Sequence, residues 1–124
     1  MRTAICPGSF DPVTYGHLDI FKRASKLFDR VIVLVSINPD KHPCFTPEER
    51  MEMIREVTAE IPNIEVDCYA GLLSSYAQQH EAAAIVKGLR AMTDFEYELQ
   101  QADLNSHLSP DLESVFVMSS PQYG

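Results

Sequence analysis

The sequence predicts an α/β fold: a doubly wound, five-stranded parallel sheet with helices on both faces. Three observations point there. Short β-branched runs alternate with longer stretches of helical period along the whole chain, the order that right-handed strand–helix–strand crossovers require. The second of those runs, residues 31–36, is apolar at every position but the last, as expected of a strand covered on both sides. A chain of 124 residues, 45% hydrophobic and 23% charged, suits one compact domain with a real core rather than a disordered or fibrous protein.

Each element follows from local chemistry. Residues 3–6 read as the first strand, stopped by the turn at Pro7-Gly8. Across 16–29, Leu18, Phe21, Ala24 and Phe28 recur on one helical face. After the second strand, Thr46-Pro47-Glu48-Glu49 sets a threonine N-cap, a proline at the first helical position and a capping-box glutamate at the third. Met51, Ile54 and Val57 then supply a buried stripe, and Pro62-Asn63 ends the helix. Residues 64–69 alternate apolar and acidic side chains, which suits a strand near the sheet's edge. A short helix is expected over 72–80 and a buried strand over 83–86. Thr93-Asp94-Phe95-Glu96 is a second capping box, opening a helix that runs to Leu108, and a fifth strand covers 114–118. No repeat, low-complexity tract or linker interrupts this order, so residues 1–124 read as a single domain.

Composition excludes several functions. With 18 acidic and 10 basic residues the formal net charge is −8, which argues against coating nucleic acid by phosphate neutralisation. It leaves room for one small anionic ligand held by locally gathered cations. The longest aliphatic run, residues 31–35, is far short of the roughly 20 residues of a membrane helix. The N-terminus runs straight to Pro7-Gly8 without a signal-peptide hydrophobic region. Cys6, Cys44 and Cys68 are odd in number and widely spaced, so neither a disulfide framework nor structural zinc is expected. A reduced, cytoplasmic chain is the simplest outcome.

In open parallel sheets, ligands bind beyond the carboxyl ends of the strands, where the strand order reverses. The first loop there reads Cys6-Pro7-Gly8-Ser9-Phe10-Asp11-Pro12-Val13-Thr14-Tyr15-Gly16-His17. Gly8 allows a sharp turn, Ser9 offers a hydroxyl and an N–H, and His17 lies in the first helical turn, where free N–H groups favour anions. A plain turn before a core helix explains the same spacing, and the glycines and lysine of a Walker loop are missing. Asn38, Asp40, Lys41 and His42 follow the second strand and read alone as a solvated turn. Lys87-Gly88-Leu89-Arg90 directly follows the expected fourth strand, placing two cations at the sheet's carboxyl edge in an acidic chain.

Gly8-Ser9-Phe10-Asp11-Pro12 followed by Thr14-Tyr15-Gly16-His17 resembles the nucleotidylyltransferase superfamily, whose signature is H-x-G-H or T-x-G-H. The threonine form is similar to that of the bacterial phosphopantetheine adenylyltransferase family. Phe45-Thr46-Pro47-Glu48-Glu49-Arg50, Lys87-Gly88-Leu89-Arg90 and Asp94-Phe95-Glu96-Tyr97-Glu98 agree in the same order along the chain. The resemblance implies a Rossmann-like nucleotidylyltransferase domain. It also implies adenylyl transfer from ATP to 4′-phosphopantetheine, giving dephospho-coenzyme A and pyrophosphate without a covalent intermediate. Two alternatives stand beside it: another nucleotidylyltransferase, acting on nicotinamide mononucleotide or glycerol phosphate, and a non-catalytic nucleotide-binding module.

By the same resemblance His17 stabilises the transition state at the α-phosphate and Lys41 binds the reacting phosphates. Ser9, Lys41, Leu73 and Lys87 fall at substrate positions, although core packing accounts for Leu73 nearly as well. Ser9, Phe10, His17, Gly88, Leu89, Arg90, Glu98, Tyr123 and Gly124 fall at ATP positions. No set of residues is spaced to ligate a metal, so Mg²⁺ is expected only with the phosphates of ATP. Dephospho-coenzyme A or coenzyme A is expected as product or inhibitor, a homohexamer as the assembly, and neither nucleic acid nor membrane as a partner. His42, His80 and His107 fit no constellation and are expected at the surface. The family continues beyond the position of Gly124 into a serine-rich loop and a helix, so a chain ending there is expected to turn over poorly. Equal rates from a chain extended through that loop and helix would contradict this.

Overall fold

The computed structural model describes residues 1–38, 42–89, 92–108 and 110–118, the side chains of 92–98 excepted. Strands β1 (Thr3–Gly8), β2 (Arg30–Ser36), β3 (Ile64–Tyr69), β4 (Ala84–Leu89) and β5 (Glu113–Met118) form one all-parallel sheet in the order β3-β2-β1-β4-β5. Helices α1 (Tyr15–Leu27), α2 (Pro47–Val57), α3 (Leu73–Gln79) and α4 (Met92–Leu108) make the crossovers. The strand order reverses between β1 and β4, as the doubly wound expectation requires.

Both faces are covered. On one, Ala4, Cys6, Val31, Val33, Val35, Ala84 and Val86 pack against Phe21 and Ala24 of α1 and Ile54 of α2. On the other, Ile5, Ile32, Leu34 and Ile85 meet Tyr76 and Ala77 of α3 and Leu112. Because successive strand residues point to opposite faces, β2 must be apolar throughout, with Val31, Val33 and Val35 on one side and Ile32 and Leu34 on the other. β3 is an edge strand, as its mixed pattern suggested.

Several boundaries differ from expectation. α2 ends at Val57, where the Thr58 N–H bonds the Ile54 carbonyl, well before Pro62-Asn63. Val57 is exposed, and the buried partner of Ile54 one turn earlier is Arg50. α4 begins at Met92, so Thr93 stands inside the helix rather than at its cap. β1 continues through Pro7 and Gly8, which pair with Leu34 and Val35. β4 continues through Lys87, Gly88 and Leu89 because these pair in register with Phe116, Val117 and Met118 of β5. His80 is half-buried rather than surface: its ring stacks on Tyr76 at 4.0 Å between centroids.

Candidate functional site

The site is built on the carboxyl end of β1. After Gly8 the chain turns back so that the Phe10 ring lies over the glycine; a Cβ on Gly8 would come within 2.8 Å of Phe10 Cζ. The turn puts Phe10 in the left-handed region, with φ of +47°, which a non-glycine residue adopts only when its surroundings impose it. Burial supplies part of that. The Phe10 ring is 5% exposed and meets Phe21 edge-on at 5.3 Å and His17 edge-on at 5.0 Å.

His17 is the third residue of α1, and Thr14 is its N-cap. Thr14 Oγ1 accepts the His17 main-chain N–H at 3.3 Å, and His17 Nδ1 accepts the Thr14 main-chain N–H at 3.0 Å. The two residues close a capping box in which histidine takes the place of the usual glutamate. A main-chain N–H can only donate, so Nδ1 serves as acceptor and the neutral ring carries its proton on Nε2. The box thus turns His17 into a hydrogen-bond donor fixed in the first turn of α1, at the positive end of the helix dipole, an arrangement suited to a phosphate oxygen.

The β1–α1 loop is also tied to α2. The half-buried Asp11 carboxylate accepts the N–H groups of Cys44 and Phe45 at 2.8 and 2.9 Å, one on each oxygen. In the other direction, Arg50 Nη1 donates to the Ser9 carbonyl at 2.9 Å. Arg23 of α1 donates to the Met118 carbonyl at 2.7 Å, joining the end of β5 to the same edge.

Of the residues expected in the site, Phe10 on this loop meets His17 in the first turn of α1, and Ser9 directly precedes Phe10. Gly88 and Leu89 lie on β4, next to β1 across the switch in strand order; Gly88 is exposed and Leu89 buried. Lys87 differs from expectation in place. Being within β4 rather than after it, it is half-buried on a sheet face and lines a small cleft with Gln101, Ala102 and Asn105 of α4 and Ser114 and Phe116 of β5. Leu73 opens α3 and is half-buried against the Tyr76–Ala77 side of the core. Glu98 lies in α4. Its side chain, together with Lys41, Arg90, Tyr123 and Gly124, lies outside the described residues. Among the described residues no group of three His, Cys, Asp or Glu could hold a metal ion, and no helix is long and apolar enough to cross a membrane.

Thr14, Asp11 and Arg50 were read from the sequence only as members of motifs, with no role of their own. Thr14 was findable, since Thr14 and His17 have capping-box spacing. Arg50 was not, because although it stands one helical turn from Ile54, nothing in the periodicity of α2 marks a charged residue there as buried.

Residues 5–124 match the cytidylyltransferase-like family. A phosphopantetheine adenylyltransferase of Caldanaerobacter subterraneus subsp. tengcongensis is 57% identical over 124 residues, all of this chain and 78% of the relative. One of Alkaliphilus metalliredigens is 54% identical over 123 residues, 99% of this chain and 78% of the relative. Among solved structures, a putative nicotinate-nucleotide adenylyltransferase from Vibrio parahaemolyticus superposes with a TM-score of 0.68 at 17% identity, covering 99% of this chain and 77% of that one. At that identity the likeness speaks for the fold alone. A full-length family match, with relatives above half identical throughout, places the chain in the phosphopantetheine adenylyltransferase branch of the cytidylyltransferase-like family.

Proposed function

We propose that the chain transfers the adenylyl group of ATP to 4′-phosphopantetheine. A phosphate oxygen of the acceptor attacks the α-phosphorus, the bond from that phosphorus to the bridging oxygen of the β-phosphate breaks, and pyrophosphate leaves with the electron pair. The products are dephospho-coenzyme A and pyrophosphate. No side chain need form a bond to phosphorus, so the protein's part is positioning and stabilisation of charge.

One observation carries this proposal: His17 presents an Nε2–H donor at the N-terminus of α1, on the strand-order switch. A donor there stabilises the oxygens of the α-phosphate as their charge grows, and the neutral ring does so without a proton transfer. Ser9, Phe10, Gly88, Leu89, Arg90, Glu98, Tyr123 and Gly124 would surround ATP, which enters with its Mg²⁺ as a substrate complex. Lys41 and Lys87 would take the acceptor's phosphate, with Leu73 against its uncharged arm. The working form would be a cytoplasmic homohexamer, for which sedimentation equilibrium should return six chain masses.

His17→Ala tests the assignment. Losing one preorganised donor at the reacting phosphate should cost about 10²–10³ in kcat while ATP affinity stays within about threefold. Unchanged turnover, or a fall confined to ATP affinity, would remove His17 from the transition state.

A further inference from the structure

We propose that Asp11 and Arg50 are positioning residues: a two-way brace between the β1–α1 loop and the start of α2 that holds the turn at Phe10 and so sets the His17 ring. The proposal rests on the adenylyl-transfer reading of this site and deepens it.

Phe10 sits at φ +47° between two residues that are both tied to the segment around α2. Before it, the Ser9 carbonyl accepts from Arg50 Nη1 at 2.9 Å. After it, the two oxygens of Asp11 take the N–H groups of Cys44 and Phe45 at 2.8 and 2.9 Å. Donor and acceptor run in opposite directions, so the loop can neither swing away from α2 nor slide along it. The ring of the residue held between these ties meets His17 at 5.0 Å. Phe10 is thus one wall of the seat in which the imidazole lies, beside the Thr14 capping box and the Phe21 ring stacked at 6.5 Å.

The placement of Arg50 is hard to explain otherwise. It is 4% exposed, and its hydrogen bonds go to two main-chain carbonyls, those of Ser9 and, at 3.4 Å, Thr46. Burying a guanidinium is costly, and an apolar side chain on the same face as Ile54 would serve the core better. What an apolar residue could not do is reach across to hold Ser9. Asp11 has a similar logic. An amide or hydroxyl at that position could accept one of the two N–H groups with a single oxygen, whereas the carboxylate accepts both with charge-assisted bonds. The brace also anchors Cys44, three residues after Lys41 in the chain, to the loop that carries His17.

The test is made on the full chain with Asp11→Asn, Arg50→Gln and the double variant, each assayed with ATP and 4′-phosphopantetheine well below its own melting temperature. Asp11→Asn turns one acceptor into an amide donor facing an N–H. Each single variant should lose roughly tenfold to a hundredfold in kcat per folded molecule, as displacements of about an ångström do. KM for ATP should move less than about threefold. The double variant should be no worse than the poorer single one, because both release the same turn. Arg50→Lys should restore part of the rate. If Arg50→Gln fails to fold, Asp11→Asn carries the test alone, and its His17 ring resonances should shift in a ¹H–¹⁵N spectrum. Unchanged kcat, additive losses, or unmoved His17 resonances would overturn the brace. Absence of turnover in the unsubstituted chain even when extended through the serine-rich loop and helix that the family carries would overturn the adenylyl-transfer reading itself, and the positioning role with it.

Discussion

Cys6 lies on β1 just before the loop that carries Ser9 and His17, a place where a thiol invites suspicion of reactivity. Its side chain is 2% exposed, and burial pushes the thiol up to about 12 from an ordinary value near 9. Cys44, by contrast, is exposed. Iodoacetamide at pH 8 should therefore alkylate Cys44 in the folded protein and reach Cys6 only after unfolding, as peptide mass spectrometry would read. Because the folded value is the raised one, the unfolded chain loses this proton first. The stability owed to Cys6 is intact below pH 9 and falls as the pH climbs from there toward 12. Tyr76 acts in the same sense, its phenol held protonated by burial and by its hydrogen bond to Asp67 at 2.7 Å. His17 was singled out from the sequence because glycine, histidine and a helix start form a recognisable string. The capping role of Thr14 was not, since the familiar capping box ends in glutamate or glutamine and this one ends in histidine.

Among the elements, α2 has two jobs that its sequence displays unequally. Its start is written plainly. Thr46 Oγ1 accepts the Glu49 N–H at 3.1 Å, and Glu49 Oε1 accepts the Thr46 N–H at 2.9 Å. Thr46→Ala should cost about 1 kcal/mol in urea unfolding, the usual worth of an N-cap, and a loss near zero would show that tertiary contacts alone hold the helix. Its buried face was harder to see. The periodic choice of Val57 over Arg50 follows hydrophobicity, but Arg50 is buried because a hydrogen bond to the β1–α1 loop draws it in, and no period within α2 encodes that loop. β4 is a related case. Lys87 and Gly88 look like loop residues in isolation, and only pairing with Phe116 and Val117, some 30 positions away, makes them strand. That pairing moves Lys87 from the edge of the sheet to the cleft beneath α4, beside Gln101 and Asn105.

At the scale of the whole molecule, the order β3-β2-β1-β4-β5 is what makes a site from distant stretches of chain. It sets the end of β1, with Ser9 and the turn into α1, beside the end of β4, with Gly88 and Leu89, although some 80 residues separate them. The alternation of apolar runs was enough to predict this sheet and its two covered faces, because crossover handedness and burial leave few other solutions. The acceptor is another matter, since a nucleotide site at the switch point suits many phosphorylated partners. The most direct measurement is therefore pyrophosphate release from MgATP with 4′-phosphopantetheine, nicotinamide mononucleotide and glycerol 3-phosphate offered in parallel. Release with 4′-phosphopantetheine far above both others is the predicted result. Release with another acceptor and none with 4′-phosphopantetheine would contradict it.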